Sequence, residues 1–163
     1  MQNTMTGREL VQKAVKFQGP ARVPRALPEP WGSDFLSVGV GQDPAFSPCV
    51  ETDERWEDEW HCIWEKPEGD QTLGQVRVHP LENYEQLDDF DFPDMTVPER
   101  YDGIAECIAE NNEDKFVLGG VPLSFAHRLH YLRGFSEGMM DPYTNPDGLN
   151  RLLDRLADIA VDA

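Results

Sequence analysis

Cysteine is scarce in this sequence: three residues in 163, Cys49, Cys62 and Cys107, with no pair at CxxC spacing. An odd number without paired spacing excludes a disulfide framework and a zinc ribbon, and fits reduced thiols in a cytoplasm. Long apolar runs are missing too. No stretch approaches the ~20 residues that a membrane helix needs, and the first residues interleave apolar with charged side chains, unlike a secretory or transit leader. The expectation is a cytoplasmic chain.

Positive charge is the third scarcity. Fourteen Lys and Arg stand against 31 Asp and Glu, a formal net charge of −17. Such a surface repels phosphate backbones and anionic lipid, so neither nucleic acid nor membrane is an expected partner. Thirteen prolines and thirteen glycines are spread along the chain, which points to many turns rather than a low-complexity tract.

The patterns present read as alternating helices and strands. "TGRELVQKAVKF" carries a capping box, Thr6 with Glu9 three residues on, before an apolar face of Leu10, Val11, Ala14 and Val15; Gly19 and Pro20 end it. Residues 23–27 read as a short strand closed by Pro28 and Pro30, and "SVGVGQDPAFSP" as loop. "RWEDEWHCIWEK" spaces Trp56, Trp60 and Trp64 four apart, which suits a strand face as well as a helix face. The turn "KPEGDQ" and the alternation of "TLGQVRVHP" favour a hairpin of residues 58–66 and 72–79, one face aromatic, the other acidic. Strand alternation then sends Cys62 inward and His61 outward with the acids, and no metal is expected between them.

Further on, "LENYEQLDDFDFPD" reads as a short helix into a loop. "TVPERYDGIAECIAEN" reads as one helix capped by Thr96, and "KFVLGGV", residues 115–121, as a buried strand. "PLSFAHRLHYLRGF" is helical and "DPYTNP" breaks it. Asn145 caps and Pro146 starts a last helix with Leu149, Leu152, Leu153, Leu156 and Ala160 on one side. Strands between helices imply α/β units with a parallel sheet. With residues 23–27 and 115–121 as its only barrel-type strands, the chain is expected to be the front of something longer.

The order of these features resembles the uroporphyrinogen decarboxylase-like family. The segments that carry the likeness are "RELVQKAVKFQGPARVP", "WEDEWHCIWEK", "HPLENYEQLDDFDFPD", "FVLGGVPLSFAHRLHYLRG" and "DPYTNPDGLNRLLDRLAD". The resemblance implies one α/β domain over 1–163, the N-terminal part of a (β/α)8 TIM barrel with an inserted β-hairpin. Sites in such barrels sit at the C-terminal strand ends. The family includes the haem-pathway decarboxylase and corrinoid and coenzyme-M methyltransferases. Where the decarboxylase carries an arginine-rich segment, this chain has "RALPEPW" with Arg25 alone. Where it has a threonine and a tyrosine after the second-strand turn, this chain has Ser124 and Arg128. Few cations for a polycarboxylate favour the methyltransferase side; decarboxylation in porphyrin biosynthesis and a non-catalytic truncated binding chain are the alternatives.

The resemblance implies zinc and a corrinoid for full-length members, with the zinc ligands in the other barrel half and no cofactor held by this chain. It further implies a small-molecule substrate or a corrinoid protein as partner, and self-association of an open barrel piece. The substrate-binding candidates are Arg25, Asp58, Trp60, Gly119, Gly120, Ser124, His127 and Arg128. Two readings stand side by side for the tryptophans, a stacking wall for a planar ligand or hairpin core. For Gly119 and Gly120 in "GGVP" they are close backbone approach to a ligand or a plain strand-to-helix turn. His127 is either a pocket-rim group or a surface histidine.

Overall fold

A computed structural model describes residues 5–28, 30–121 and 123–163. The described chain is mixed α/β and divides into two units. One comprises Met1–Gly41 with Tyr101–Val121, the other Gln42–Arg100 with Pro122–Ala163. Pro122, the proline of the "GGVP" turn, lies outside the described residues.

The first unit begins with helix α1, Gly7–Val15, whose capping box forms as the sequence implies: Thr6 Oγ1 accepts from Glu9 N and Glu9 reaches back to Thr6 N. Leu10 and Val11 are buried, but Val15 is exposed, so the apolar face is narrower than expected. Gly7 packs against the Asp34 backbone, where an added Cβ would sit 2.7 Å from its carbonyl oxygen. Strand β1 is Phe35–Gly39, not residues 23–27. The first residues of the "SVGVGQDPAFSP" stretch read as loop, Ser37–Gly39, are the end of that strand. Asp34 explains the displacement. Its carboxylate takes both Arg22 Nη atoms at 2.6 Å and the Arg25 N–H at 2.8 Å, and an isolated bridge pairs Ala26 with Ser33.

The "IAECIA" helix is shorter than expected. A 3-10 turn at Pro98–Tyr101 precedes Gly103 at φ 79°, and helix α2 is only Ile104–Ala109, with none of its residues buried. Gly103 supplies the left-handed geometry that breaks the continuous helix.

Within the second unit, strands β2 (Arg55–Glu57), β3 (Ile63–Glu65) and β4 (Gln75–Val78) form an antiparallel sheet in that order. The expected hairpin of 58–66 with 72–79 is therefore its last two strands, and residues 58–62 turn instead of extending. Back in the first unit, β5 (Phe116–Gly120) runs parallel to β1, with Phe35 opposite Phe116 and Gly39 opposite Gly120. Expected to be buried, β5 is half-exposed at best, because among the described residues it pairs with β1 alone.

Helix α3, Phe125–Arg133, stops at Gly134 (φ 88°), and a separate helix α4, Phe135–Thr144, runs through "DPYT". The helix breaks at Gly134 as well as at "DPYTNP", where α4 ends at Thr144 and the next helix begins at Pro146. Helix α5, Pro146–Asp162, starts as the sequence implies: Asn145 accepts from Gly148 N and Pro146 takes the first turn. Leu149, Leu152, Leu156 and Ile159 form its buried stripe. Together with Leu81 and Leu132 they make the second unit's core; each fully buried leucine contributes roughly 2 kcal/mol. Among the described residues no helix is long and apolar enough to cross a membrane.

Candidate functional site

Asp58 organises the turn between β2 and β3. Its Oδ1 accepts from the N–H groups of Trp60 (3.0 Å) and Cys62 (2.9 Å), and its Oδ2 accepts from Trp64 Nε1 (2.9 Å). The first of these is the Asx geometry, an aspartate bonding the backbone two residues on. The turn places His61 at φ 61° and buries Trp60 to 3% exposure. It also buries Cys62, whose Sγ lies 3.4 Å from Tyr131 O; burial pushes that thiol's pKa up, so it is no ready nucleophile.

Arg128 comes to this turn from α3. Its guanidinium stacks 4.1 Å from the Trp60 ring centre, and Nη1 lies 3.4 Å from Asp58 Oδ2. That stacking is a cation–π contact on a desolvated ring. Nε of Arg128 is buried and has no partner among the described residues. A cleft of about 270 Å³ opens here, walled by Trp56, Asp58, Trp60, Met95 and Arg128. Trp56 and Trp64 stack across the strands, 5° from parallel.

The acids beside Asp58 are not a solvated face, contrary to expectation. Glu59 grips Arg100 with both oxygens, at 3.1 and 2.6 Å. Glu57 accepts from Cys49 N at 2.5 Å and lies 2.8 Å from His61 Nδ1. Burial raises the Glu57 carboxyl, but the Cys49 N–H and thiol and the His61 ring outweigh it and leave the group below its ordinary value. His61 accordingly is held between acids and aromatic rings instead of pointing freely outward.

Of the sequence candidates, the structure brings Asp58, Trp60 and Arg128 together. Ser124 is exposed at the N-cap of α3, without a side-chain cap bond, and His127 is exposed with its ring stacked on Tyr131. Arg25, Gly119 and Gly120 belong to the first unit. There Arg25 is exposed and gives its N–H to Asp34, while both glycines are exposed at the end of β5. Of the three acids Glu57, Asp58 and Glu59, the sequence pointed to Asp58 and passed over the other two, and Arg100 was missed. Part of the signal was present: a turn packed with N–H donors needs acceptors, and "WEDEW" supplies them. Arg100 is 41 residues from Glu59 and gave none.

No group of three or more His, Cys, Asp or Glu among the described residues is arranged to hold a metal ion. Buried Cys62 and His61, turned to Glu57, do not fit zinc, and the cleft is too small to enclose a corrin. Compared with protein-family models, curated proteins and solved structures, the chain matches none.

Proposed function

We propose that this chain is the N-terminal part of a uroporphyrinogen decarboxylase-like α/β barrel and that it serves methyl transfer to a small anionic thiol. On this reading β1 and β5 are the first two parallel barrel strands and the β2–β4 sheet is the insertion. The chain's own task is to bind and orient the thiol; activating it falls to residues of the other barrel half. Arg128 carries the reading. By the family resemblance it takes the place of the decarboxylase's tyrosine, and it is stacked on Trp60 beside Asp58 in a cleft of about 270 Å³.

The chemistry fits a small acid better than a porphyrinogen. Asp58 and Glu59 already hold donors, and Arg128 Nη1 makes only one long contact, so the guanidinium keeps donor capacity for an incoming sulfonate or carboxylate. A tetrapyrrole with several acid arms would need more cations and far more room. Calorimetric titration with 2-mercaptoethanesulfonate tests this. The parent chain should bind it, Arg128→Lys should weaken it several-fold by losing the planar fork, and Arg128→Ala at least tenfold. Binding and turnover of uroporphyrinogen instead would favour the decarboxylase alternative.

A further inference from the structure

Helix α4 is built inside out. Its buried positions are Gly138 and Asp141, while its bulky apolar side chains face solvent: Phe135 is 66% exposed, Met139 and Met140 55% each, and Tyr143 87%. Gly138 explains how the helix is seated. It packs on His130 and Leu129 of α3, where an added Cβ would sit 3.2 Å from the His130 ring. Asp141 anchors the same helix through Arg133 and Tyr84. A surface helix ordinarily turns its apolar stripe to the core and its polar side to water. Here Phe135, Met139 and Tyr143 recur every four residues on the outward side, with Met140 beside them. The His130 ring meets Phe135 at one end of the stripe, centroids 4.9 Å apart.

We propose that this stripe is the contact surface for a second copy of the chain, α4 packing antiparallel on α4 about a two-fold axis at Met139. The stripe has the symmetry such a contact needs. Phe135 and Tyr143 lie four residues, about 6 Å along the axis, on either side of Met139. An isologous pair therefore sets Met139 on its own copy and Phe135 on Tyr143 of the second copy, twice. Both of those meetings are ring on ring, which adds to the burial itself. Charge selects the place. At −17, two copies repel each other over most of their surfaces. The stripe carries no charge of its own: Asp141 is buried against Arg133, and the Glu137 carboxylate lies beside Gly134. Area agrees as well. Side chains this exposed offer roughly 500 Å², most of the about 800 Å² per partner of a standard interface. Exposed Ser136 and Thr144 lie beside them as polar rim. The stripe belongs to the second unit, β1 and β5 belong to the first, and Arg128 takes no part. The contact thus depends on neither the barrel reading nor the thiol reading.

The test is sedimentation of the intact chain over a concentration series, in a Leu118→Glu background that suppresses pairing through the open strand edge. That chain should show a reversible monomer–dimer equilibrium. Adding Met139→Glu, at an exposed position, sets two carboxylates against each other at the axis and should weaken the dimer by roughly tenfold or more. Met139→Cys gives the positive counterpart. A residue on a two-fold axis meets itself, so under mild oxidant this variant should form a disulfide-linked dimer far faster than the parent chain, whose exposed Cys49 sets the background. Glu137→Cys, off the stripe, should stay at that background. A chain that is monomeric at every concentration, association unchanged by Met139→Glu, or Met139→Cys linking no faster than Glu137→Cys would overturn the proposal.

Discussion

Asp58 accepts three N–H groups and touches a guanidinium, all from one turn and the helix against it. Removing it strands the Trp60 and Cys62 amides and the Trp64 indole inside the second unit. Asp58→Ala should therefore lower unfolding free energy by about 2–4 kcal/mol, read by urea denaturation. Asp58→Asn keeps an acceptor at Oδ1 and should cost less. Equal losses would mean the charge, not the turn, matters. The buried Tyr84–Asp141–Arg133 network gives a pH test. Tyr84 Oη donates to Asp141 Oδ2, and Arg133 Nε and Nη2 both reach the same carboxylate. Burial alone would raise the Asp141 carboxyl. Arg133 and Tyr84 outweigh it and hold the group below 3.8, its ordinary value. A depressed folded pKa stabilises above the unfolded value and is lost as pH falls through the folded one. Stability should thus decline as pH falls through and below the ordinary carboxylate range, and Asp141→Asn should flatten that limb in urea midpoints taken across the acid range.

At the scale of elements, Gly148 carries an instructive sign. In an exposed helix, Gly→Ala stabilises by about 1 kcal/mol. Here, in the first turn of α5, a Cβ would run into the Tyr84 ring. Gly148→Ala should instead destabilise by about 1–3 kcal/mol through overpacking, seen as a lower thermal midpoint; a raised midpoint would mean α5 does not dock on the Tyr84 turn. Elements with local signals were legible. The α1 capping box and the Asn145–Pro146 start of α5 are encoded within four residues of each helix end. Elements decided by distant partners were not. The strand Phe35–Gly39 was not legible: Ser37–Gly39 looked like loop because the glycine and serine carry no strand propensity, and the strand forms only by pairing with Phe116–Gly120 some 80 residues on. Likewise the acids of "WEDEW" read as solvated because Arg100 and Arg128 are remote in sequence. Asp58, Trp60 and Arg128 were legible as single residues, through the family resemblance, but not as a cluster.

At the scale of the molecule, β1 and β5 pair as strands only with each other among the described residues, and Leu118 and Val121 are about half exposed. Open parallel edges with apolar side chains invite another chain. The chain should sediment as a concentration-dependent mixture of monomer and larger species, and Leu118→Glu should shift it toward monomer; one sharp monomer peak at all concentrations would argue against a barrel piece. The central claim is that Arg128 and Trp60 form the seat of a small anionic thiol. Its most direct test follows the Arg128 Nε–H and the Trp60 indole N–H resonances during titration with 2-mercaptoethanesulfonate, using the exposed Trp31 as internal reference. Arg128 and Trp60 should shift saturably while Trp31 stays unmoved. Saturable binding that leaves Arg128 and Trp60 unshifted, or no binding at all, would contradict it.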